Sequence, residues 1–297
     1  MIMNRRILIG LSVFIVSGIA SAATDPPLRV FVSIQPQRYF VEKIGGDSVK
    51  IHVMVAPGAS PATYEPKPRQ MAELASATLY FAVGVPFERV WLEKFQAANR
   101  AMKVIPTQEG IELAPMAAHD HDGGMHDDGD HAGFKDPHIW LSPPLVMVQA
   151  RNILAALQAT DPAHAAQYRE RYRRFIQEVA ELDTTLMAIF EKKESAPEFL
   201  VFHPSWGYFA RAYGLHQIPI EIEGKEPKPA DILALVGHAR EKHLTAVFVQ
   251  PQFSRKSAET IAAAIGAEVV VIDPLAPDWA DNLKRTAEAI GRAASRP

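Results

Sequence analysis

Residues 161–193 read DPAHAAQYRERYRRFIQEVAELDTTLMAIFEKK, and Tyr168, Tyr172, Phe175, Ile176, Val179, Leu182, Leu186 and Ile189 recur there at spacings of three and four. That spacing lays an apolar stripe along an α-helix. Asp161 is positioned to cap the helix, and Pro162 suits its first residue, where the missing N–H costs nothing. One helix over 163–193 would run roughly 46 Å at ~1.5 Å per residue, enough to span two lobes as a spine. Two shorter helices broken near Asp183-Thr184-Thr185 are the alternative.

The flanks say what the spine joins. From Arg29 to Thr107, apolar runs (29–34, 51–55, 79–83, 104–106) alternate with amphipathic stretches near 39–44, 70–75 and 87–98. The same alternation returns from Phe199, with strands expected at 199–202, 217–222, 246–249 and 268–272 and helices near 229–242, 256–265 and 279–294. Such alternation builds parallel βα units. The expected fold class is therefore α/β: two Rossmann-like lobes with parallel sheets, joined by one long rigid helix. The expected division is an N-terminal lobe over 24–144, a linking helical spine over 145–193 and a C-terminal lobe over 197–297. One large α/β domain is the alternative at 297 residues.

Composition narrows the function. With 48% hydrophobic and 22% charged residues, the chain is neither disordered nor a multi-span membrane protein. A net charge of −3 offers no basic field, so nucleic acid is not an expected partner. Residues 1–22 have the plan of an export signal: Arg5-Arg6, an apolar core from Ile7 to Gly18, and Ala20-Ser21-Ala22 for cleavage. An uncleaved anchor is the alternative. Cleavage would take the net charge to −5. The chain has no cysteine, so neither a disulfide nor a lipid on a cysteine at the cleavage site is expected. A soluble protein of a periplasm-like compartment follows, with the oligomeric state left open and monomer as the default.

The segment HDHDGGMHDDGDH, 119–131, is nine-thirteenths His and Asp. It lies in a stretch, 118–133, that reads as a surface loop able to collect borderline cations through His119, His121, His126 and His131. A purely solvating acidic loop is the competing reading. His138 follows in Asp136-Pro137-His138-Ile139-Trp140. His203 and Asp273 each close an expected strand and precede a proline, at strand ends where open α/β sheets bind ligands. His138, His203 and Asp273 are thus candidate metal ligands. His52, His164, His216, His238 and His243 read as surface or packing residues without partners.

The chain resembles the zinc- and manganese-binding solute receptors of ABC transporters, the cluster A-I family whose lobes are joined by one long helix. The resemblance spans essentially the whole chain after the export signal. It rests on Pro57-Gly58-Ala59-Ser60-Pro61 with Tyr64-Glu65-Pro66-Lys67-Pro68, Asp136 to Trp140, Phe202-His203-Pro204-Ser205-Trp206, Glu221 to Pro227, Pro251-Gln252-Phe253-Ser254 and Ile272-Asp273-Pro274-Leu275. It implies Zn2+ as transported ligand, ahead of Mn2+, with an inner-membrane ABC permease and a periplasmic metallochaperone as partners. It also implies the ligand set His138, His203 and Asp273 plus a further histidine at a position that is Ala62 here. Water, a loop histidine or Glu65 would have to complete the site, or the site is disabled. Gln250 stands where relatives often carry glutamate, which would reduce a carboxylate behind the ligands to an amide.

Two other functions would use the same residues. A periplasmic metallohydrolase would exploit an open three-ligand zinc, but no HExxH, GxSxG or evident general base accompanies it. A metal-buffering or adhesive protein without a transport role is the third reading.

Overall fold

A computed structural model describes residues 26–116, 135–191, 197–221 and 225–294. The expected export signal, 1–22, and the His/Asp-rich segment expected to form a loop, 118–133, lie outside the described residues. The first lobe runs β1 (Leu28–Val32), α1 (Gln35–Gly45), β2 (Val49–Val53), α2 (Pro68–Leu74), β3 (Leu79–Ala82), α3 (Pro86–Ala98) and β4 (Lys103–Pro106). Two helices follow, α4 (Pro143–Thr160) and α5 (Ala165–Phe190). The second lobe runs β5 (Glu198–Val201), α6 (Gly207–Ala212), β6 (His216–Pro219), α7 (Pro229–Glu241), β7 (Ala246–Val249), α8 (Lys256–Ile265), β8 (Glu268–Val271) and α9 (Trp279–Ala293).

Among the described residues, each lobe holds one parallel four-stranded sheet, ordered β2-β1-β3-β4 in the first and β6-β5-β7-β8 in the second. The orders are the same, so each lobe has its switch point beside its first strand, between β1 and β3 and between β5 and β7. In the first lobe the protein fills that point itself. The Glu88 carboxylate accepts from Ser33 Oγ and from the amides of Val83 and Gly84, and Ser33 Oγ lies 2.7 Å from Tyr80 Oη. Burial pushes the Glu88 carboxyl up to about 7.

The spine is continuous, with Tyr168, Phe175, Val179, Leu182, Leu186 and Phe190 on its buried face. No break occurs near 183–185: Thr184 and Thr185 donate back to the carbonyls of Ala180 and Glu181, and Asp183 accepts from Tyr213 Oη. The start differs from expectation. Pro162–His164 form a 3-10 turn with Asp161 at its N-cap, and the Asp161 carboxylate is also engaged by His164 Nδ1 and Tyr168 Oη, both at 2.6 Å. His164 therefore has a partner, as do His52, beside Glu73 and stacked on Phe31, and His238, 2.7 Å from Glu198. Except for Asp161, these partners come from other elements, which is why they were unreadable along the chain.

Helix α5 packs on α4, on α1 of the first lobe and on α9 of the second. Its contact with α9 is close at Gly291, where a Cβ would lie 3.1 Å from Ile189 Cγ2. A single apolar cluster runs from the first lobe through α5 into α6 and α9, and a smaller one lies around Leu200, Val247 and Ile261. Two tryptophans, each 1% exposed, then lock the lobes together. Trp140 Nε1 donates to the Pro274 carbonyl at 2.8 Å, and Trp279 Nε1 donates to the Trp140 carbonyl at 2.7 Å.

Removing one indole N–H leaves a buried carbonyl unpaired, which costs about 1–3 kcal/mol. Trp279→Phe is expected to lose at least that much unfolding free energy in urea titration; a variant as stable as the wild type would contradict the assignment.

Candidate metal centre

His138 ends the turn from Asp136. The Asp136 Oδ1 accepts from both the His138 amide at 2.9 Å and its ring Nδ1 at 2.7 Å, so one carboxylate fixes backbone and imidazole together. The second lobe holds the same segment from outside: Tyr208 Oη donates to the Asp136 carbonyl and accepts from the Ala114 amide, both at 2.9 Å. His203 lies two residues beyond β5. Its Nδ1 is 2.6 Å from Glu221 Oε1, its amide donates to Gln250 Oε1, and its ring stacks on Phe253 at 4.8 Å.

Because a carboxylate can only accept, each Nδ1 carries the proton and each Nε2 keeps its lone pair for a ligand. The rings face each other across the lobe boundary with centroids 5.2 Å apart. They line a cleft of about 70 Å³ together with Ala62, Met116, Trp140, Gln252 and Phe253, among others. Burial pushes the His138 pKa below the ordinary imidazole value, against the pull of Asp136, so the ring is neutral at pH 7.

The remaining expected residues are placed differently. Asp273 lies just off the lining, its Oδ1 accepting from Gln252 Nε2 and the Leu275 amide, both at 2.9 Å. Among the described residues no three His, Asp or Glu side chains converge closely enough to hold an ion. The structure thus brings together two imidazoles and leaves Asp273 one hydrogen bond away, through Gln252. Ala62 is on the cleft wall, whereas Glu65 is exposed and outside the lining. His119, His121, His126 and His131 fall outside the described residues. Gln250 grips the His203 backbone from both sides, donating to its carbonyl at 2.6 Å. The carboxylate behind that ring is Glu221, so an amide at 250 removes no charge from the imidazole.

Asp136, Glu221 and Gln252 carry weight that the sequence reading did not give them. Asp136 was in reach two residues before His138. Glu221 needed the strand pairing: Val201 is opposite Pro219, so His203 and Glu221 are each two residues past that pair.

Twin parallel-sheet lobes on one long helix, with two carboxylate-held imidazoles meeting across the boundary, define a metal-binding solute receptor. The model of the family described as ZnuA, zinc-uptake complex component A, periplasmic, matches residues 30–293, and the chain belongs to that family. It is a receptor and not an enzyme, which removes the metallohydrolase reading. A crystal structure of ZnuA is 46% identical with a TM-score of 0.84, covering 91% of this chain and 100% of that one. A ZnuA deletion mutant solved with zinc bound is 45% identical, also at 0.84, over 91% and 99%. The high-affinity zinc uptake system protein ZnuA of Bacillus subtilis (strain 168) is 28% identical over 253 residues, 84% of this chain and 78% of the relative.

The lowered His138 pKa has a signed consequence. Below the ordinary histidine pKa of about 6.5 the unfolded chain takes up a proton that folded His138 refuses, so its contribution to stability is full above that pH and declines below it. Glu88, with its folded pKa raised, acts in the opposite sense between about 4.5 and 7. In a Glu88→Gln background, the unfolding free energy of metal-free protein should fall as pH drops from about 7 to about 5. His138→Gln should remove up to ~1.4 kcal/mol per pH unit of that slope. Urea titrations with parallel pH profiles for the two proteins would contradict the assignment.

Proposed function

We propose that this chain, exported by residues 1–22 and cut near Ala22 without lipidation, captures zinc in the cleft between its lobes and hands it to an ABC permease of the inner membrane. A periplasmic metallochaperone is a second candidate partner. The lobes are proposed to span 24–144 and 197–297, with 145–193 between them. Among the described residues no helix is long and apolar enough to cross a membrane.

The observation that carries the reading is the pair of imidazoles, one from each side of the boundary, each backed by its own carboxylate. His138 and His203 supply their Nε2 atoms as ligands. The ion draws in Asp273 through Oδ2, since Oδ1 already accepts two hydrogen bonds. Two nitrogens and a carboxylate oxygen form a borderline set that favours zinc over magnesium or calcium. The His/Asp-rich loop is proposed to gather zinc for this site. Support comes from its attachment points: Pro115 pairs with Lys135, and the adjacent Met116 lines the cleft.

Competitive titration of the metal-free mature protein against a chromogenic zinc chelator tests the reading. One tight zinc per chain is expected, weakened by more than about tenfold in His203→Ala; no binding by the wild type, or binding indifferent to His203, would overturn it. Replacing the four loop histidines should slow zinc uptake in stopped-flow mixing while leaving equilibrium affinity within a few-fold. A large loss of affinity would instead make a loop histidine a ligand.

A further inference from the structure

The cleft holds one more polar group that neither the fold nor the imidazole pair uses. Gln252 lines it beside His138, His203 and Ala62. Its amide orientation follows from its partner: the Asp273 carboxylate can only accept, so the –NH₂ is the end bonded to Asp273 and the carbonyl oxygen is the end left over. That oxygen is buried and has no hydrogen-bond partner among the described residues. A buried acceptor left unpaired is costly, and native structures keep few of them without a ligand, ion or water to satisfy them.

The surroundings hold this group still. Gln252 lies inside the turn closed by the Phe253 amide on the Gln250 carbonyl. The two residues that close that turn act on His203, Phe253 by stacking on the ring and Gln250 by gripping the backbone. Residue 252 therefore moves with a ligand. Across the cleft the wall is Ala62, which has no donor atom, and Glu65 is outside the lining.

Resting on the receptor reading above, we propose that Gln252 Oε1 is a ligand of the captured ion, supplying the donor that Ala62 lacks. The coordination then reads His138 Nε2, His203 Nε2, Asp273 Oδ2 and Gln252 Oε1, two nitrogens and two oxygens, with the Gln252 amide N–H still bonded to Asp273. One side chain would both ligate the ion and orient the neighbouring carboxylate. A neutral amide oxygen is harder than imidazole, so it weakens the preference for zinc over manganese relative to a three-histidine site.

The test uses the metal-free mature protein, zinc titration and the visible ligand-field spectrum of bound cobalt(II). One-to-one binding by the wild type establishes the receptor reading independently; its absence would end that reading and this proposal with it. Given binding, Gln252→Leu should lose at least about tenfold in zinc affinity and change the cobalt spectrum, as water replaces the amide oxygen. Adding Ala62→His to Gln252→Leu should recover the affinity with a third, more nitrogen-rich spectrum. Gln252→Leu with wild-type affinity would overturn the proposal. Lost affinity with an unaltered cobalt spectrum would overturn it too, since Gln252 would then only position Asp273. Should the leucine variant fail to fold, Gln252→Glu decides, because it keeps an oxygen on the same stem. Retained zinc binding with a shifted cobalt spectrum is expected, and an unshifted spectrum would contradict ligation.

Discussion

The two indole bonds across the lobe boundary are the constraint on which the site depends. Trp140 immediately follows the turn bearing His138, and Pro274 immediately follows Asp273. The bond from Trp140 Nε1 to the Pro274 carbonyl therefore sets the distance between the proposed ligand segment of one half and that of the other. The return bond from Trp279, the first residue of α9, ties both to a helix that packs on the spine. Tyr208 adds a third tie at the Asp136 carbonyl. Much of the cost of aligning the ligands is thus met during folding and not at the moment of capture.

Twin sheets do not make twin sites. At the first lobe's switch point the position where a ligand would bind is taken by Glu88, fully engaged with Ser33, Val83 and Gly84. The carboxyl ends of β1 and β3 are closed by that network, and the proposed ligand of the first half, His138, comes from a later segment. At the second lobe's switch point the equivalent filler is Gln250, which binds the backbone of His203 and leaves its side chain to face the cleft. One topology yields an internal anchor in one lobe and a strand-end imidazole facing the cleft in the other, according to whether the filler consumes or presents the chain beside it.

Much of this was legible along the chain. The three-and-four spacing from Tyr168 onward specified the spine because an amphipathic helix between two apolar surfaces has to repeat that way, and the apolar runs of β3 and β7 specified strands covered on both faces. His138, His203 and Asp273 stood out because proline fixes the backbone beside each. What escaped the reading depends on elements meeting in space. Glu221 reaches His203 only through the parallel register of β5 and β6, and the partners of His52 and His238 come from a following helix and a neighbouring strand. Asp161 looked like a cap and takes that place before a 3-10 turn, but its carboxylate is also shared with the His164 ring and with Tyr168 two turns on. Gln252 was read only as part of a motif, since a glutamine's importance rests on whether its two amide ends find partners, which no spacing records.

Capture and release place opposite demands on this arrangement. Burial keeps His138 neutral and ready for an ion, while Asp136 and Glu221 hold the rings in one tautomer and strengthen their donation to a cation. Each feature slows escape as well as aiding entry. The imidazoles come from opposite sides of the boundary, so the direct way to weaken the site is to separate them. Separation has to strain the Trp140 to Pro274 bond, because that bond spans the same boundary beside the same ligands. A partner that pries the lobes apart would therefore work against two buried indole bonds and an apolar cluster continuous through α5, and a rocking of small amplitude is the motion this geometry allows. With centroids 5.2 Å apart, the rings need only a small divergence before their two nitrogens could no longer reach one ion, as the proposed site requires.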